Sequence, residues 1–193
     1  IVLKSVFEEQ IMMQAHHMAT YDSPEAGDYL STYVRSHAIK EYIDLIQETK
    51  RLCTIPIIAS INCFSSSEWT DFARTMQDAG ADALELNILS LQTEKEYQYG
   101  AFEQRHIDIL SSVKKHVSIP VIIKLGTNLT NPIALINQLY ANGAAAVVLF
   151  NRFYQPDIDI NNMQIVSGNV FSNHSDLSDT IRWTAIVSGK IPG

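Results

Sequence analysis

Seven polar residues stand at the ends of apolar runs in this chain: Lys4 and Ser5, Asn62, Asn87 and Ser90, Lys124, and Asn151. Two lysines, three amides and two hydroxyls form an electropositive set rich in hydrogen-bond donors. Such a set suits a planar, anionic ligand with many acceptors. A flavin ring fits, because a fixed lysine stabilises the negative charge its N1/O2 edge takes on reduction, and an asparagine both donates and accepts. Each residue also has a plainer role. A lysine at a strand end can lay its stem on apolar surface and keep its charge in water. Asparagines often form turns, and Ser90 alone is ordinary loop. Glu85, inside an apolar run, is either a satisfied interior carboxylate or the partner of Lys124. The chemistry depends on whether the fold gathers these residues.

Five apolar runs precede them: Ile1 to Phe7, Ile55 to Cys63, Ala83 to Leu89, Ile119 to Leu125 and Ala144 to Phe150. Nearly continuous apolarity, without alternation, marks strands buried on both faces of a parallel sheet. Helical patterns separate them. Ser65 and Glu68 have capping-box spacing, Trp69, Phe72, Ala73 and Met76 form a stripe, and Gly80 ends it. Phe102, Ile109, Leu110, Val113 and Val117 form another. Asn131-Pro132 opens a helix with Ile133, Ile136, Leu139 and Tyr140 behind it and Gly143 at its end. Leu30, Val34, Tyr42, Leu45 and Ile46 mark a longer helix, and Leu177, Ile181 and Ala185 a final one.

Ile55-Pro56-Ile57-Ile58 returns 64 residues later as Ile119-Pro120-Val121-Ile122. Ala79-Gly80-Ala81-Asp82-Ala83 leads to Asn87 as Asn142-Gly143-Ala144-Ala145-Ala146 leads to Asn151, with a slip of one residue. Paired βα units that echo each other point to a (β/α)8 TIM barrel. The rival, a doubly wound open sheet, usually carries a glycine-rich nucleotide loop, which this sequence lacks. A full barrel takes about 250 residues. The expectation is therefore a partial barrel over 1–193 with about five βα units and an inserted helical segment around 8–52.

Composition narrows the partners. The 193 residues carry 14 Lys+Arg against 21 Asp+Glu, a net charge of −7, with 46% hydrophobic residues, so the chain is neither disordered nor suited to nucleic acid or an anionic membrane. Its apolar runs fall short of the ~20 residues of a membrane helix. Cys53 and Cys63 suggest free thiols in a reducing, cytoplasmic compartment, with no metal-ligand spacing. His16 and His17 are expected in solvent.

Val2-Leu3-Lys4-Ser5, Glu85-Leu86-Asn87, Ile122-Ile123-Lys124-Leu125 and Leu149-Phe150-Asn151 resemble successive strand motifs of the dihydroorotate dehydrogenase family, FMN-dependent barrels of pyrimidine synthesis. Lys4 to Gln10 and the phrase from Phe150 to Ile160 resemble the dihydroorotate dehydrogenase-like proteins of bacteria, and the likeness spans essentially the whole chain. It implies that Lys4 and Ser5 contact the flavin edge, that Asn62 lies beside it, that Asn87 bridges flavin and substrate, and that Lys124 and Asn151 complete the FMN pocket. Ser90 falls where the family has its Cys or Ser base. The resemblance further implies oxidation of a small CH–CH substrate such as dihydroorotate, a homodimer, and a longer protein of about 300 residues in which these are strands two to six. The family's phosphate-binding glycine loops would follow Gly193.

Two departures stand out. Leu91-Gln92 follows Ser90 where the family has Pro-Asn, and the segment from His16-His17 to Pro24 replaces an Asn-Pro-x-Pro-Arg substrate loop. Arg152 could hold a substrate carboxylate or pair with Asp157 or Asp159. Two other readings are a lyase or aldolase with a Schiff base on Lys124 or Lys4, and a catalytically degenerate barrel.

Overall fold

In the computed structural model the described residues are 1–19, 24–153, 155–169 and 171–191; for 15–19, 24–31 and 66 the description is of backbone only. His16, His17 and Leu30 thus lie outside the described side chains. A five-stranded sheet is built from β1 (Val6–Phe7), β2 (Ile58–Asn62), β3 (Ala83–Asn87), β4 (Val121–Leu125) and β5 (Ala146–Leu149). Every pairing is parallel, and each strand lies beside its predecessor in sequence. A doubly wound sheet reverses its direction of growth partway. This one advances in a single direction, as consecutive staves of a (β/α)8 barrel do. Among the helices, α1 (Glu8–Ala19) and α2 (Pro24–Leu52) precede β2, α3 (Ser66–Asp78), α4 (Ala101–Lys114) and α5 (Pro132–Ala141) cross between strands, and α6 (His174–Ser188) follows.

The sheet has two chemically different faces. Ile61, Leu86 and Ile123 point to the helices and are fully buried. They meet Trp69, Phe72, Ala73 and Met76 of α3, Leu110 and Val113 of α4, and Leu139 of α5, each at 2% exposure or less. Burying one such side chain contributes ~1.5–3 kcal/mol. The opposite face carries Ser60, Asn62, Glu85, Asn87, Ile122 and Lys124, as the period of two requires.

The sequence echo is matched bond for bond. Gly80 and Gly143 have φ of +99° and +84°, a region open to glycine. Gly80 N–H bonds Gln77 O and Ala81 N–H bonds Met76 O; Gly143 N–H bonds Tyr140 O and Ala144 N–H bonds Leu139 O. Both are Schellman ends. The next residues, Asp82 and Ala145, then bond Ile57 O and Val121 O.

Other details differ from expectation. Of the capping box at Ser65, one half is formed: Ser65 Oγ accepts from Glu68 N–H, while the Glu68 carboxylate pairs with Arg35. Tyr140 and Leu45 are exposed rather than packed. Leu177, Ile181 and Ala185 of α6 face solvent, because α6 meets the sheet through Val187 and, just beyond it, Ile191. An antiparallel hairpin, β6 (Pro156–Asp159) with β7 (Gln164–Ser167), had no counterpart among the expected elements. No helix among the described residues is long and apolar enough to cross a membrane.

Candidate functional site

The local distortion that builds the site lies in the first strand. Val2 is bridged to Ile58 but Val6 to Ile61, so four steps on one strand oppose three on the other. This bulge leaves Leu3 and Val6 both against the core, with Lys4 and Ser5 between them. It also withdraws β1 from the backbone of Ser60. Tyr42 of α2 fills the gap: its hydroxyl accepts from Ser60 N–H at 3.0 Å and donates to Ser60 O at 3.3 Å. Burial pushes the Tyr42 hydroxyl pKa up, against the bond to the Ser60 backbone, and Glu85 adds to the rise.

Side chains from four strand ends then meet. Ser60 Oγ donates to Glu85 Oε1 at 2.6 Å, and Ser5 Oγ lies 2.6 Å from Ser60 Oγ. Asn87 Nδ2 donates to Ser5 Oγ at 3.4 Å. Asn151 Nδ2 donates to Asn87 Oδ1 at 2.7 Å, and Arg152 N–H donates to Asn151 Oδ1 at 2.9 Å. Asn62 Nδ2 braces the same corner by donating to Asn87 O at 2.6 Å. Ser60, Asn62, Glu85 and Asn87 are all at most 5% exposed.

Five of the seven predicted site residues thus belong to this cluster or border it. Ser5, Asn62, Asn87 and Asn151 are linked directly, and half-buried Lys124 stands opposite Asn87 in register. Lys4 is exposed, and its side chain makes no hydrogen bond or ion pair to a described residue. Ser90 sits apart on the loop after β3. Its Oγ accepts from Gln92 Nε2 at 3.1 Å, and its carbonyl accepts from Asn128 Nδ2 at 3.0 Å. Cys63, at the end of β2, is no substitute base: burial, reinforced by Glu8 and Glu68, pushes its thiol far above the usual range.

Two pairings differ from expectation. Glu85 takes the Ser60 hydroxyl and forms no ion pair with Lys124. Arg152 pairs with Asp176, at the N-terminus of α6, at 2.9 Å rather than with Asp157 or Asp159. Asp159 instead closes the hairpin by accepting from the Asn161 and Asn162 amides. Ser60 was not among the expected site residues. Its signal was a hydroxyl inside an apolar strand two residues before Asn62, as Glu85 stands two before Asn87. Buried His106, whose Nδ1 lies 2.7 Å from Phe102 O, was likewise unexpected; burial lowers its pKa.

The chemistry of the cluster suits an acceptor-rich ligand. Both amide oxygens of Asn87 and Asn151 already hold internal donors, leaving second N–H groups, with Lys124 alongside. Among the described residues no three His, Cys, Asp or Glu side chains form a metal-sized group.

Known proteins are similar to this sequence over part of their length. A family model described as "Dihydroorotate dehydrogenase" matches residues 28–172. The catalytic subunit of dihydroorotate dehydrogenase B (NAD(+)) from Thermoplasma volcanium is 33% identical over 70% of this chain and 43% of its own length. That from Methanocella arvoryzae is 38% identical over 63% of this chain and 40% of its own. The chain spans less than half the length of these relatives. Among solved structures, a putative dihydrodipicolinate synthetase from Pseudomonas aeruginosa is similar over 56% of this chain and 37% of its own, at 14% identity and a TM-score of 0.45.

Proposed function

The chain belongs to the dihydroorotate dehydrogenase family, and from that premise we propose that it forms the strand-end half of an FMN site that oxidises a CH–CH bond, with dihydroorotate as the substrate of first choice and pyrimidine synthesis as the pathway. The observation that carries this reading is the hydrogen-bonded cluster joining Ser5, Asn62, Asn87 and Asn151, with Lys124 in register beside it. Lys124 and Lys4 would supply positive charge to the pyrimidine edge of the flavin, and Ser5 and Asn62 would lie along it. Asn87 and Asn151 would direct their spare N–H groups at ligand oxygens. Bound FMN would supply the acceptor for a hydride from one substrate carbon. Ser90, whose Oγ accepts from Gln92 Nε2 and directs its hydrogen at Leu91 O, is the residue the resemblance assigns to taking the proton from the neighbouring carbon, and it would pass its own hydroxyl hydrogen to solvent as it did so. The same reading carries a cytoplasmic protein, a small-molecule substrate, a homodimer, and α1 and α2 as an insertion after the first strand.

The test is a titration of the full chain with FMN, followed by anaerobic addition of dihydroorotate. A yellow complex bleached by dihydroorotate supports the reading, and Lys124→Ala should weaken FMN binding by roughly 10- to 100-fold, the worth of a charge-assisted bond. Colourless protein that takes up no FMN overturns it. Uptake of FMN with no bleaching overturns the choice of substrate alone.

A further inference from the structure

We infer that Glu85 and Ser60 are positioning residues that, together with the Arg152 amide at the opposite end, hold the direction of the whole hydrogen-bonded chain and so keep the second N–H groups of Asn87 and Asn151 toward a ligand.

The reasoning is one of hydrogen supply. Ser60 Oγ is the donor in its 2.6 Å contact with Glu85 Oε1, and that contact uses the single Ser60 hydroxyl hydrogen. The 2.6 Å contact from Ser5 to Ser60 must then use the hydrogen of Ser5. Ser5 Oγ is left as an acceptor, and only the NH2 end of Asn87 can satisfy it, which it does at 3.4 Å. From the other end the Arg152 N–H, which can only donate, holds Asn151 Oδ1 at 2.9 Å, and the NH2 end of Asn151 donates to Asn87 Oδ1 at 2.7 Å, so the two ends impose the same direction. Every donor from Arg152 inward points toward one buried acceptor. An asparagine amide can otherwise flip at small cost, exchanging donor for acceptor. Glu85 at 3% exposure and Ser60 at 0% line the sheet behind the cluster and act through Ser5.

The consequence is a wall that offers N–H groups in place of the mixed donor and acceptor surface expected of three asparagines. It favours ligand edges made of carbonyl or carboxylate oxygen over edges carrying N–H. In its bearing on FMN this rests on the proposed function; the amide orientations stand apart from it.

The experiment reads both. Side-chain amide NMR signals of Asn87 and Asn151 in the full chain, assigned with N87D and N151D, are compared between the parent, Glu85→Leu, Ser60→Ala and Glu85→Gln. Loss of the terminal acceptor or of the relay should displace both amide pairs and weaken FMN binding by about 10-fold, the scale of one misdirected buried bond. Glu85→Gln keeps a carbonyl in place and should restore the parent signals. Ser5→Ala, at a half-buried link, gives the same reading if the buried variants do not fold. Signals unchanged in Ser60→Ala or Ser5→Ala overturn the inference. A parent that binds no FMN but shows the displacements supports the chain and overturns only the flavin reading.

Discussion

The segments β2-α3-β3 and β4-α5-β5 are near copies in sequence and in their helix-ending bonds, yet they sit in different surroundings. β3 lies between two strands and is buried at all five positions, whereas among the described residues β5 pairs with β4 alone, and its residues range from half-buried to exposed. A groove of about 430 Å³, walled by Ile136, Tyr140, Val147, Thr184 and Val187, runs between α5, β5 and α6. The Asp82 carboxylate in the first copy accepts from Ile57 N–H and Lys50 Nζ, while its counterpart Ala145 carries only a methyl group. The comparison teaches that an inherited sequence pattern fixes how a unit folds back on itself, and that neighbours fix how much each contact is worth.

The largest expected difference is in the core. Leu86→Ala on β3 should destabilise by ~2–5 kcal/mol, and Leu149→Ala on β5 by less than half of that, because its surroundings are already partly wet. Urea unfolding of the two variants measures it, and equal losses would break the comparison.

The helix ends should behave alike. Gly80→Ala meets no atom within 4 Å and Gly143→Ala meets only the flexible end of Lys114, so each should cost about 1–2 kcal/mol through its positive φ alone. Thermal melts that separate the two by more than that whole amount would show that the ends are not equivalent.

The smallest effect concerns Asp82. The Lys50 ammonium, then the Ile57 amide, hold its carboxyl below the ordinary carboxylate range. A group with a depressed folded pKa contributes stability above its unfolded value of ~3.9 and loses it as the pH falls through the folded value. The pair is partly exposed, so Asp82→Asn should cost at most about 1 kcal/mol at neutral pH. That cost should vanish in melts taken below the depressed value, and a cost that persists there would assign it to something other than charge.

Much of this molecule was legible in its residues. The five strands follow from continuous apolar runs, and the α3 stripe of Trp69, Phe72, Ala73 and Met76 is buried as its spacing requires. Ser5, Asn62, Asn87 and Asn151 are expected together because strand ends of parallel staves open at one mouth, and the structure joins them by hydrogen bonds. The β6–β7 hairpin was missed because its Ile158 and Ile165 pair with each other while remaining in solvent, so no burial pattern marks them. Ser60 carried one signal, its place two residues before Asn62 as Glu85 stands before Asn87, but only the register of β2 with β3 sets the two side by side.

The sequence by itself determined the elements, their order and the residue types at the strand ends, since periodicity, caps and glycines act over a few residues. Only the tertiary structure decided that Glu85 answers Ser60 instead of Lys124, that Arg152 answers Asp176, and which way the asparagine amides face. Those outcomes turn on a bulge before Val6 and on ångström distances between strands far apart in the chain, where the groups at the two ends of a hydrogen-bonded row fix its direction.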